Sequence, residues 1–70
     1  MEYIKCFLSD MDGEFPELDQ LEILLPTVPV KGQSNFDVKH KGEVYNCSVH
    51  DIDWFIEDGI FKHCTIYIKI

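Results

Sequence analysis

Residues 42–70 (GEVYNCSVHDIDWFIEDGIFKHCTIYIKI) alternate side-chain character with a period of two, and the alternation slips once. The alternation, with its wealth of β-branched and aromatic residues, predicts two long strands joined at Glu57, Asp58 and Gly59. In the first strand Tyr45, Cys47 and Val49 share a face at odd positions, whereas Ile52, Trp54 and Ile56 continue it at even ones. One inserted residue near His50 and Asp51 accounts for the change, and a β-bulge there bends and coils the hairpin. In the second strand Ile60, Cys64, Ile66, Ile68 and Ile70 fall on one face, with Phe61, His63, Thr65, Tyr67 and Lys69 on the other. A coiled hairpin with apolar residues on both faces requires further strands around it, or a partner.

The rest of the chain supplies such strands. Residues 2–9 (EYIKCFLS) read as a strand with Tyr3, Lys5 and Phe7 on one side and Ile4, Cys6 and Leu8 on the other. Asp10, Met11, Asp12 and Gly13 form a turn, because Asp-Gly supplies positive φ. Residues 14–25 carry two periodicities. Pro16, Glu17 and the spacing of Leu18, Leu21 and Leu24 suit a short helix, whereas Leu21, Ile23 and Leu25 suit a strand. A helical turn near residues 16–20 running into a strand over 21–25 reconciles them. Pro26 and Pro29 make residues 26–34 a loop. A short strand over 36–40 turns at Lys41 and Gly42 into the long hairpin. The expectation is one domain spanning residues 1–70, all-β or β-rich α+β. Its architecture would be a small five-stranded antiparallel SH3-like barrel or coiled sheet, in which closure leaves few exposed edges.

Composition narrows the function. Thirteen acids face six lysines, with no arginine, for a net charge of −7 over 70 residues. Binding to a nucleic-acid backbone needs cations to displace counterions, so direct nucleic-acid binding is not expected. An electrostatic partner would be basic. No apolar run approaches the length of a membrane span, and the N-terminus lacks the charged start and apolar core of a signal peptide, so a cytoplasmic protein is expected. The three cysteines, Cys6, Cys47 and Cys64, are odd in number and widely spaced, and read as buried free thiols.

Several constellations invite chemistry. Residues 4–15 (IKCFLSDMDGEF) resemble the first motif of haloacid dehalogenase-type phosphohydrolases. That resemblance implies Asp10 as phosphoryl-accepting nucleophile and Asp12 as general acid/base, with magnesium. Glu14 stands where that family has Thr or Val. The family's doubly wound parallel sheet also needs crossover helices for which this chain has no room. A calcium loop counted through Gly13 puts Leu8 and Asp19 where Asp and Glu belong. Zinc sites favour paired ligands, whereas His63 and Cys64 are adjacent in a strand and point to opposite faces. No catalytic residue, cofactor site or metal site is therefore expected.

The acidic groups are the remaining candidate. Asp10, Asp12, Glu14, Glu17, Asp19 and Glu22 occur in a segment with no base, next to Phe15. Asp51, Asp53, Glu57 and Asp58 surround Trp54 and Phe55. Acids also confer solubility. Interleaved with aromatics, they suit a partner-binding surface, because anchors inside a charged rim are what tight interfaces use. The sequence of Leu25 and Pro26, Pro29, Gly32, Gly42, Tyr45, Cys47, Trp54 and an alternating final strand resembles tiny β-barrel proteins of phages and mobile elements. The small size, the −7 charge without arginine and the lack of any complete catalytic set lead to the expectation of a non-enzymatic protein-binding module, a phage-encoded inhibitor or anti-defence protein that docks on a basic host protein, in one version as a DNA mimic. Two alternatives stand beside it: a self-associating assembly subunit, with a homodimer favoured by two-sided apolar strands, and a minimal metal-dependent phosphohydrolase using Asp10 and Asp12.

Overall fold

A computed structural model describes residues 2–69. It is all-β: β1 (Ile4–Asp10), β2 (Glu22–Leu25), β3 (Phe36–His40), β4 (Glu43–Glu57) and β5 (Ile60–Lys69), with one 3-10 turn at Pro16–Leu18. The five strands form a curled sheet in the order β2-β1-β5-β4-β3. The helical turn and the short strand coexist in residues 14–25, which is why both periodicities are present there.

One pairing departs from the expected all-antiparallel arrangement. β1 and β5 run parallel, with Cys6 opposite Cys64 and Leu8 opposite Ile66, while β1–β2, β3–β4 and β4–β5 are antiparallel. β3 and β4, and β4 and β5, are joined by two-residue turns and must pair antiparallel, while β1 and β2 pair antiparallel across the connection of residues 11–21. The first and last strands are joined by the whole chain, so a parallel pair needs no dedicated crossover helix. β2 and β3 do not pair, leaving a half-barrel with these two short strands at its edges, where brevity limits templating of foreign strands.

Two turns set the registers. His40 pairs with Glu43 across Lys41 and Gly42, and Glu57 pairs with Ile60 across Asp58 and Gly59. All four turn residues have positive φ, between 52° and 84°. This is the two-residue connection whose twist matches that of the strands.

The expected bulge is present. Val49 pairs with Ile68 and Asp51 with Tyr67, so His50 is the extra residue. A second lies on β5: Phe55 pairs with His63 but Ile56 with Phe61, leaving Lys62 unpaired. This corrects the assignment of faces. Beyond Lys62 the alternation inverts, so Phe61 joins the Trp54 side, its ring 5.4 Å from the indole, and Ile60 leaves the face of Cys64. Ile70 lies outside the described residues.

The concave face holds the core: Cys6, Leu8, Leu18, Cys47, Val49, Cys64, Ile66 and Ile68. No polar or charged residue is buried among the described residues. Leu18 reaches the core from the β1–β2 connection, which folds over one end of the half-barrel. Besides the 2.9 Å bond from the Leu8 N–H to Leu21 O, three bonds tie that connection to β1. The Phe15 N–H donates to Asp10 Oδ2 (2.8 Å), the Asp10 N–H to Asp19 Oδ1 (3.0 Å), and the Gln20 N–H to Leu8 O (2.7 Å). Phe15 meets Tyr45 edge to face at 5.5 Å, bridging connection and sheet. No helix among the described residues is long and apolar enough to cross a membrane. Because Leu18 is the only fully buried side chain outside the strands among the described residues, Leu18→Ala leaves a cavity at the end of the half-barrel. Chemical denaturation is expected to register a loss of about 2–5 kcal/mol.

Candidate functional site

β4, at 15 residues, outruns both strands it pairs with, β3 at 5 residues and β5 at 10. Its first part, residues 43–47, pairs with β3; the remainder pairs with β5, and its other edge is met at Val49 by the loop, where the Gly32 N–H donates to Val49 O and the Val49 N–H to Gln33 O, both at 2.8 Å. β5 in turn pairs with β1 only over residues 64–68. Residues 53–63 therefore leave the sheet as a two-stranded ribbon with no other strand paired to it among the described residues.

The ribbon is apolar and uncovered. Trp54 is 57% exposed, Phe55 46%, Ile56 52% and Ile60 60%. Trp54, Ile56 and Phe61 share one side, and Phe55 lies on the other. There Phe55 stacks on His63 (5.0 Å, 15° between planes), and Phe7 of β1 meets the same imidazole edge to face at 5.0 Å. Lys5 Nζ sits 5.7 Å from the Phe7 ring. His63 Nδ1 is buried in this aromatic row without a hydrogen-bond partner among the described residues. The row spans β1, β5 and β4 and braces the base of the ribbon against the sheet.

Acids rim the ribbon unequally. Glu57 and Asp58 at the tip are exposed, with Lys62 as the nearby base. Asp53 Oδ2 accepts a 2.7 Å bond from the Tyr67 hydroxyl. Asp51 Oδ1 accepts from the Ile52 N–H at 2.8 Å and lies 3.7 Å from Lys31 Nζ. Asp53 and Asp51 thus help to hold the β4–β5 face, while Glu57 and Asp58 engage no side chain among the described residues.

The other acidic group lies elsewhere. Asp10 is opposite Ile68, near the end of β5, whereas Glu57 is opposite Ile60 at its start. At about 3.3 Å per residue, the two acidic groups are roughly 25 Å apart. The structure therefore gathers Asp51, Asp53, Trp54, Phe55, Glu57 and Asp58, and places Asp10, Asp12, Glu14, Phe15, Glu17 and Asp19 at the opposite end. Glu22 is on β2, 3.7 Å from Lys5 Nζ. Ile56 and Ile60 belong to the exposed ribbon and were missed as site residues. Ile56 stands in the same apolar run as Trp54 and Phe55, whereas Ile60 is turned to the Phe55 side by the bulge at Lys62, which no periodicity of so short a segment reveals.

Asp10 has a structural occupation. Oδ2 accepts the Phe15 N–H, and Oδ1 is buried without a partner among the described residues. The end of β1 does lie beside a parallel strand, as in the haloacid dehalogenase arrangement, but the doubly wound sheet with flanking α-helices is not formed. No group of three or more metal-ligating side chains is assembled among the described residues. No protein family, curated protein or solved structure matches the chain.

The Tyr67 phenol is held above its ordinary value, chiefly by its hydrogen bond to Asp53, then by burial and the nearby charges of Asp53 and Asp51. Only the protonated phenol can donate that bond. Its contribution is complete below the unfolded value of about 10 and is lost as pH rises through the higher folded value. In Asp53→Ala, the alkaline absorbance titration of Tyr67 is expected to move down toward the ordinary value.

Proposed function

We propose that this chain is a non-enzymatic protein-binding module, an inhibitor of the kind phages direct at host proteins, which docks the β4–β5 ribbon on a basic partner. The observation that carries this reading is the ribbon itself. Trp54, Phe55, Ile56 and Ile60 are displayed on a braced two-stranded projection, with Asp53, Glu57 and Asp58 around them. Exposed apolar patches bounded by charge mark interaction sites, and aromatic anchors at their centre carry most of the binding energy. The tip acids supply the sign of the partner and hasten encounter. The acids around Asp10 and Asp19, tied into the β1–β2 connection, keep structural and solubilising roles in this reading.

Binding to a panel of basic nucleases and regulators, measured over a salt series, tests it. The expected partner binds with an affinity that falls as NaCl rises from roughly 50 to 300 mM. Trp54→Ala is expected to weaken that complex by about 30-fold, with the fold intact by circular dichroism. Affinity indifferent to salt, or to Trp54, would reject the proposed surface.

A second reading is favoured by the free edge of β4 beyond residue 52, which offers backbone groups to another strand. Two copies of this edge would form an antiparallel seam and a homodimer. Sedimentation over a concentration series separates the readings. A monomer throughout fits a heterologous partner, whereas a dimer dispersed by Ile56→Lys would establish self-association.

A further inference from the structure

The parallel pairing of β1 with β5 sets two of the three thiols against each other. Cys6 and Cys64 are directly opposite in the ladder, both point into the core, and both are 0% exposed. The Cys64 Sγ lies 3.1 Å from the Cys6 Sγ. Strands in a sheet are about 4.8 Å apart, within the Cα separations that a disulfide spans, and closing the sulfurs to a bond of about 2.05 Å requires a movement of about 1 Å. Cys47 also faces the core, but from the part of β4 paired with β3, and its Sγ is directed to the Tyr45 carbonyl at 3.7 Å.

From this geometry we infer that Cys6 and Cys64 are a modification site: a dithiol that a small-molecule disulfide converts to an intramolecular disulfide, fastening the first strand to the last. The thiolate of one cysteine attacks the disulfide RSSR, forming a protein–S–S–R bond and expelling one RS⁻. The thiolate of the other attacks the protein sulfur of that mixed disulfide, closes the Cys6–Cys64 bond and expels the second RS⁻. The two protons released by the protein thiols end on two RSH. The balance is two protein thiols plus RSSR giving one protein disulfide plus two RSH.

The same burial dictates when this happens. Reaction requires a thiolate and access, and the packed core denies both. Desolvation, followed by the bond to Cys64 and its charge, pushes the Cys6 thiol up to about 12. Exchange therefore belongs to the folding chain or to an opened state in which β1 has left β5. Once closed and packed, the disulfide is equally shielded from reductants, so it acts as a latch rather than a rapidly reversible switch. The two residues are separated by 58 positions, and cross-links that close long loops restrict the unfolded chain most.

The test is refolding of the full chain from denaturant with a mixture of oxidised and reduced glutathione, beside a sample refolded with reduced glutathione only. The expected oxidised product has a mass lower by two hydrogens, one free thiol by Ellman titration in denaturant, and a Cys6–Cys64 linked peptide. It is expected to unfold at a temperature higher by on the order of 10 °C. Cys47→Ser should give the same linked peptide and no free thiol. Already folded reduced protein should gain the bond far more slowly than the refolding chain. Three free thiols after oxidative refolding, or Cys47 linked as often as the other two, would overturn the inference. So would a linked product that melts below the reduced protein.

Discussion

Burial of one row on β5, namely Cys64, Ile66 and Ile68, is the constraint on which the domain depends. That row is flanked by Cys6 and Leu8 of β1 through the parallel pairing and by Val49 of β4 through the antiparallel one. A chain of 70 residues has little interior to work with. Placing the last strand between the first and the fourth lets one strand be shielded from both sides. The cost is topological: the seam between β1 and β5 joins the most distant parts of the chain, and such contacts form late because their loop closure is unfavourable. A cross-link at that seam acts where the fold is entropically most expensive.

The half-barrel that results has two unlike ends. One is stopped by the β1–β2 connection, where Leu18 enters the core and Phe15 meets Tyr45. At the other, β4 and β5 continue past their partners, and the apolar alternation that built the core runs on into solvent. Trp54 and Ile56 lie on the continuation of the face that buries Val49 and Cys64, yet no element among the described residues covers them. Bulges at His50 and Lys62 turn the ribbon relative to the sheet, as bulges do where a strand pair is re-aimed. The Phe7, His63 and Phe55 row then stiffens its base. A rigid apolar projection loses little conformational freedom on binding, which favours affinity from few contacts.

Much of this architecture was legible because it is written in local signals. The Lys41-Gly42 and Asp58-Gly59 turns, the strand at Phe36–His40, the bulge at His50 and the coexistence of Pro16–Leu18 with Glu22–Leu25 all follow from residues adjacent in the chain. The β1–β5 pairing was not legible, because Cys6 and Cys64 carry no mark of strand direction and their proximity arises only when the sheet closes. The Lys62 bulge was hidden for a related reason: Ile60 and Phe61 are both large and apolar, so an inversion of faces leaves the hydropathy pattern unchanged. The candidate site was half legible. Acids and aromatics at 51–58 lie on one ribbon, Trp54 on one side and Phe55 on the other, but linear density gave equal weight to 10–22, which the topology sends to the opposite end.

Charge then discriminates between the two uses of the exposed edge. An antiparallel seam between two copies centred near Phe55 would bring Asp53 of one against Glu57 of the other, twice, with Asp58 close by. Like charges directly opposite in a ladder are destabilising. Lys62, the nearby base, lies on β5, away from the β4 edge that would form such a seam. Apolar gain from Trp54 and Ile56 and electrostatic loss from the acids are therefore opposed in self-pairing, whereas against a basic surface they act together. The same acids that leave the ribbon poorly suited to its own copy would complement the positively charged partner proposed above, and this is why the proposal puts the heterologous reading first.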